Sequence, residues 1–199
     1  LILKINWQPH GPGLKNDGDK GRSHLVPLER NDPMNAITHS REMLDMPKAL
    51  IVYYSRTGHT KKMAEMIAEG LRDEGIEVAC KSVEEASVDE IKDYDGLIVG
   101  SPTYYGTMAA EIKKFLDESV KFHGRLDGMV GGAFATAAVT GHETTVISIL
   151  EALLIHGMII QGDPSGHHYG PTAVGKVEGS EKECRRFARR FAELLRRLS

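Results

Sequence analysis

Ala49-Leu50-Ile51-Val52-Tyr53-Tyr54-Ser55-Arg56-Thr57-Gly58-His59-Thr60 is the stretch that decides the fold. An unbroken apolar run ends in a loop of hydroxyls and one glycine. Met63, Ile67, Ala68 and Leu71 follow at the spacing of one helix face. A strand continuous in apolar residues is buried on both faces, as in a parallel sheet wrapped by helices.

The same unit recurs along the chain. Further apolar runs occur at Ile76–Cys80, Gly96–Gly100, Met129–Ala135 and Met158–Gln161. Between them, Ile112, Phe115 and Leu116 form one helical stripe. Val146, Ile149, Leu150, Leu153 and Leu154 form another, with Gly157 at the C′ position. Ser87-Val88-Asp89-Glu90 opens a shorter crossover in capping-box form, and Ser180-Glu181-Lys182-Glu183 opens the last helix in the same way. That helix is expected to bury Cys184, Phe187, Ala188, Phe191, Leu194, Leu195 and Leu198, leaving its six arginines as a solvated face. Alternating strands and helices predict a doubly wound α/β sheet with right-handed crossovers.

Composition sets the bounds. With 199 residues and 41% apolar content, the chain holds one domain. Residues 1–46 carry turn chemistry such as Asn31-Asp32-Pro33, with only Leu1, Leu3, Ile5 and Trp7 alternating. They read as a flexible N-terminal extension of upstream or artificial origin, the alternative being a docking arm. Residues 47–199 form the folded domain. A net charge of −3 offers no basic field for nucleic acid, and no apolar run is long enough for a membrane span. Cys80 and Cys184 form no C-x-x-C motif, which places the chain in a reducing, cytoplasmic setting and gives no metal site.

Chemistry is expected at the carboxyl ends of the strands. In Ser55-Arg56-Thr57-Gly58-His59-Thr60 the hydroxyls stand at a helix N-terminus, where amides and the helix dipole favour an anion; a phosphate monoester fits. The loop is neither G-x-x-x-x-G-K-[ST] nor G-x-G-x-x-G, which excludes the P-loop and the Rossmann fingerprint. No G-x-S-x-G elbow and no acidic cluster occur, which disfavours a hydrolase and a phosphoacceptor receiver. After the third run, Ser101-Pro102-Thr103-Tyr104-Tyr105-Gly106 pairs a stiff exit and a tight turn with two rings able to lie on a flat heteroaromatic ligand.

These two motifs, with His142-Glu143-Thr144-Thr145 and His156-Gly157-Met158, resemble those of flavodoxin-like FMN proteins. The likeness is greatest to the Trp-repressor-binding-protein (WrbA) type of NAD(P)H:quinone oxidoreductase. The resemblance implies strand order 2-1-3-4-5 with FMN at the switch point, a rule for which flavodoxin is itself the standard example. It implies Ser55 to Thr60 as the phosphate cradle and Pro102, Thr103, Tyr104, Tyr105 and Gly106 beside the isoalloxazine. Thr136, Ala137, Ala138, Val139, Thr140 and Gly141 would meet its other side. That third loop replaces a glycine-rich run, so its added Cβ atoms are expected to restrict close approach and positive φ. Gly162–Gly179, with His167, His168 and Tyr169, is expected to be a polar surface loop, and His156 to interact with a helix dipole.

The resemblance further implies NAD(P)H as electron donor, small-molecule acceptors such as quinones, and a homo-oligomer, dimer or tetramer. No residue stands out as a catalytic acid or base, since the cofactor carries the redox chemistry. Two alternatives stand beside this enzyme. One is an electron-carrier flavodoxin docking on redox partner proteins. The other is a module that has lost FMN and serves only in interactions.

Overall fold

The computed structural model describes residues 46–198, so the expected extension lies outside the described residues except for Met46. From Lys48 the chain alternates as expected. Strand β1 (Lys48–Tyr53) leads to helix α1 (His59–Asp73), and β2 (Glu77–Ser82) to a capped 3-10 turn, Val88–Asp93. Strand β3 (Gly96–Tyr104), the two-residue β4 (Thr107–Met108) and α2 (Ala110–Glu118) follow. Then come β5 (Val130–Ala137), α3 (His142–Ile155), β6 (Ile159–Ile160), β7 (Thr172–Val174) and α4 (Glu181–Leu198).

The sheet runs β2-β1-β3-β5-β6, all parallel. With β4 set aside as an antiparallel return of β3, this is the expected order 2-1-3-4-5. The fifth position is where the structure departs from expectation. β6 pairs only with Val130 and Gly131, the chain then leaves the sheet, and β7 returns to pair with Ala135–Ala137. The fifth strand is therefore split, and the segment expected to be a plain polar loop carries its second half.

Alternation along β1 explains the two cores. Ala49, Ile51 and Tyr53 face α1 and α4, while Leu50 and Val52 face α2 and α3. Both faces are covered, which is why no polar residue follows the exposed Lys48 at the start of the strand. The expected stripe of α1 is buried throughout, whereas Leu154 of α3 and Leu198 of α4 are exposed. Helices α1 and α3 both end in Schellman motifs. Ile76 N and Gly75 N donate to Leu71 O and Arg72 O; Met158 N and Gly157 N donate to Leu153 O and Leu154 O.

The arginines of α4 are more than a solvated face. Arg185 pairs with Asp73 and Glu69, Arg196 reaches Glu74, and Arg186 and Arg190 converge on Asp163.

His156 corrects another expectation. It is buried, and its Nε2 lies 2.7 Å from Ser119 Oγ. Ser119 already donates its proton to Leu116 O at 2.6 Å, so Nε2–H of His156 must be the donor. Nδ1 is then a bare acceptor, buried without a partner. Burial first, and then nearby His123, push the imidazole below its ordinary value of 6.5, so the ring is neutral and no dipole-stabilised cation forms. The sign for stability follows directly. Below about pH 6.5 the unfolded chain takes a proton that the folded chain refuses, so stability falls as pH falls. In urea titrations from pH 7.5 to 5, His156→Gln should lose less stability than the parent, because its amide can still donate to Ser119. Parallel curves would contradict this assignment.

Candidate functional site

The carboxyl ends of β1, β3 and β5 lie side by side, and the three expected segments leave from them. A buried hydrogen bond joins the first to the third: Thr60 Oγ1 and Thr136 Oγ1 are 2.9 Å apart across 76 positions of sequence. Thr60 is thus a structural member of the site as well as one of its hydroxyls.

The second segment is less of a loop than its sequence indicated. β3 continues through Ser101, Pro102, Thr103 and Tyr104, then reverses at Tyr105-Gly106 into β4. Both turn residues have positive φ, 50° and 80°, the geometry of a two-residue hairpin whose twist matches its strands. Tyr105 is the only non-glycine residue with positive φ among the described residues, and its side chain is wholly exposed at the tip. Ser101 closes the base of the hairpin, accepting from Ala109 N at 2.8 Å and donating to Pro102 O at 2.8 Å.

In the third segment the missing glycines cost nothing in backbone conformation. Thr136 and Ala137 belong to β5, and Thr136 pairs with Pro102 on one side and Ala173 on the other. Between Thr136 and Gly141 only Gly141 needs positive φ, at 82°. A Cβ there would stand 3.0 Å from Gly106 Cα and 3.1 Å from Thr103 Cγ2, so glycine is also required for contact with the hairpin. Thr144 Oγ1 donates to Gly106 O at 2.7 Å, and Thr145 Oγ1 lies 3.0 Å from Thr103 Oγ1. These two threonines brace the site from α3. Sequence gave them only as part of a family motif, with no role.

One cleft of about 380 Å³ results. Arg56, Thr57, His59 and Thr60 line it from the first segment, Pro102, Thr103 and Tyr104 from the second, and Thr136, Ala137 and Ala138 from the third. Gly175, just after β7, completes the wall; its N donates to Ala137 O at 2.8 Å. Gly175 had no signal of its own beyond the short β-branched run before it. Ser55 and Gly58 lie within the first turn, while Tyr105, Gly106, Val139, Thr140 and Gly141 stand outside the lining. His167, His168 and Tyr169 are also outside it, against α4 and the gap in the fifth strand.

The electrostatics favour an anion. α1 begins after Gly58, with no side-chain cap and no acidic residue in its first turn. Its amide dipoles therefore point into the cleft uncompensated. Ser55 Oγ is buried with no hydrogen-bond partner. The Arg56 guanidinium sits 5.3 Å over the Tyr104 ring. Glu178, beyond β7, is held down to about 2 by Lys62, which donates to it at 2.6 Å.

A flavodoxin-domain family model matches residues 50–149, the half of the chain that builds these three segments. The chain belongs to the flavodoxin family. A flavodoxin from Aquifex aeolicus (strain VF5) is 40% identical over 74% of this chain and 86% of its own length. An NAD(P)H dehydrogenase (quinone) from Sinorhizobium fredii (strain NBRC 101917 / NGR234) is 35% identical over 67% of this chain and 79% of its own. Among solved structures, a flavodoxin, WrbA-like protein from Agrobacterium tumefaciens superposes with a TM-score of 0.66 at 25% identity, covering 77% of this chain and 99% of that one.

Membership in this family implies FMN as the cofactor, and the β1–α1 turn fits its phosphate. An orphaned hydroxyl, an uncapped helix start and the absence of a first-turn carboxylate each match a phosphate monoester. No helix among the described residues is long and apolar enough to cross a membrane.

Proposed function

We propose that this flavodoxin-family chain is an FMN-dependent oxidoreductase that accepts electrons from NADH or NADPH and delivers them to quinones or similar small acceptors. The observation that carries the reading is the lining of the cleft. Among the described residues it contains an exposed guanidinium and a histidine but no carboxylate, so an anionic dinucleotide meets no like charge from them. FMN, when bound, supplies the redox chemistry. The α1 amides with Ser55, Thr57 and Thr60 hold its phosphate. Thr103 and Tyr104 flank one side of the ring, and Thr136, Ala137 and Ala138 border the other. Thr144 and Thr145 fix the hairpin against α3 so that these groups keep their spacing.

The carrier reading is supported by the 40% identity to the Aquifex aeolicus flavodoxin. Rapid mixing separates the two. The FMN-loaded chain should lose its visible absorbance on mixing with NADH or NADPH alone, within the range of enzyme turnover, about 1–10³ s⁻¹. No loss over minutes with either nucleotide, while a flavodoxin reductase bleaches the same sample, makes the chain a carrier.

A further inference from the structure

Arg56 stands out among the residues of the cleft. It is exposed, it pairs with no carboxylate among the described residues, and its guanidinium lies 5.3 Å over the Tyr104 ring. Arg56 comes from the β1–α1 turn and Tyr104 from the end of β3, so the contact bridges two walls of the cleft. A planar ring laid on this face of Tyr104 must displace the guanidinium. A displaced Arg56 remains in the same turn as Ser55 and Thr57, beside the uncapped start of α1.

We infer that Arg56 is a specificity-determining residue with two stations: the Tyr104 ring when the cleft is empty, and the phosphate when a phosphorylated flavin fills it. The exchange is favourable only for a ligand that carries the anion. A cation–π contact at an exposed site is weak, whereas a guanidinium–phosphate pair is charge-assisted and bidentate in form. An unphosphorylated flavin displaces Arg56 from Tyr104 and offers it nothing in return. The side chain thus favours FMN and disfavours riboflavin at the same position. This inference rests on the assignment of the cleft as the FMN site.

The test is a set of direct binding titrations on the full chain freed of flavin, with FMN and riboflavin as ligands at low and high salt. Arg56→Gln should weaken FMN by about tenfold to a hundredfold, as for a lost hydrogen bond to a charged group. Riboflavin should bind this variant as tightly as the parent, or severalfold more tightly. The salt dependence of FMN binding should shrink with it. Arg56→Lys, which keeps the charge and loses the planar fork, should retain part of the FMN preference. Unchanged FMN affinity in Arg56→Gln, or parallel losses for both flavins, would overturn the two-station role. A parent chain that binds neither flavin overturns the assignment of the cleft, and the role of Arg56 with it.

Discussion

Gly100→Ala should lower the thermal unfolding midpoint by about 6–12 °C, the shift expected for a loss of about 3 kcal/mol in a chain of this size. Gly100 lies opposite Phe134 in the β3–β5 ladder, and the Phe134 ring is fully buried. A Cβ added at Gly100 would stand 2.0 Å from Cζ and 2.4 Å from both Cε atoms of that ring. The strand gives up one side chain so that its neighbour can lie across it. A glycine with free space at a compatible backbone angle behaves in the opposite way, gaining roughly 0.4–1 kcal/mol on mutation to Ala. The mechanism is checked by a double variant. Phe134→Leu removes the ring atoms that clash, so Gly100→Ala/Phe134→Leu should be markedly more stable than the sum of the two single losses requires. Additive losses would mean that something other than this ring occupies the space.

The strands that sequence located best are those whose apolar run is set by their own burial. β1 after Lys48 and the start of β3 are covered on both faces and show no polar position, so the apolar run marks the strand. The β1–α1 turn was legible for a similar reason, since its hydroxyls, glycine and following helix are all local features. Of the fifth strand only the first half was legible, β6 lying within the run Met158–Gln161, and the second half, β7, was not. β6 is two residues and β7 three, and each exists because β5 offers it a hydrogen-bonding edge. No periodicity can be read in so few residues. His156 was misread because its helix-end position indicates a cation, whereas Ser119, 37 positions away, fixes it as a neutral donor. The Thr60–Thr136 bond and the bracing of Thr103 by Thr145 are likewise pairings between distant segments, visible only once the strands are adjacent. Of the candidate site, then, the local donors were readable and the contacts that hold them in register were not.

Asp163 should prove the main anchor of the split fifth strand. It lies between β6 and β7, and the segment it holds leads to Gly175 in the wall of the cleft. Arg186 grips it through Nε and, at 2.6 Å, through Nη2, while Ser165 N donates to it at 2.9 Å and Arg190 stands 3.9 Å away. Only 13% of the Asp163 side chain is exposed, so its removal leaves two arginines half-buried without their carboxylate. Asp163→Ala should therefore cost roughly 2–3 kcal/mol at pH 7, somewhat less than breaking a fully buried pair. The pH dependence provides the check. Arg186 first, with Ser165 N and Arg190, holds the carboxyl well below its ordinary value of 3.8. The folded chain keeps the anion where the unfolded chain is protonated, so the contribution is complete above that value and is lost as pH falls below it. Urea unfolding of parent and variant should show a gap at pH 7 that narrows by pH 3, and hydrogen exchange in β7 should be faster in the variant at neutral pH. A gap that stays constant between pH 7 and 3 would show that packing of the segment, and not the ion pair, holds β7 in place.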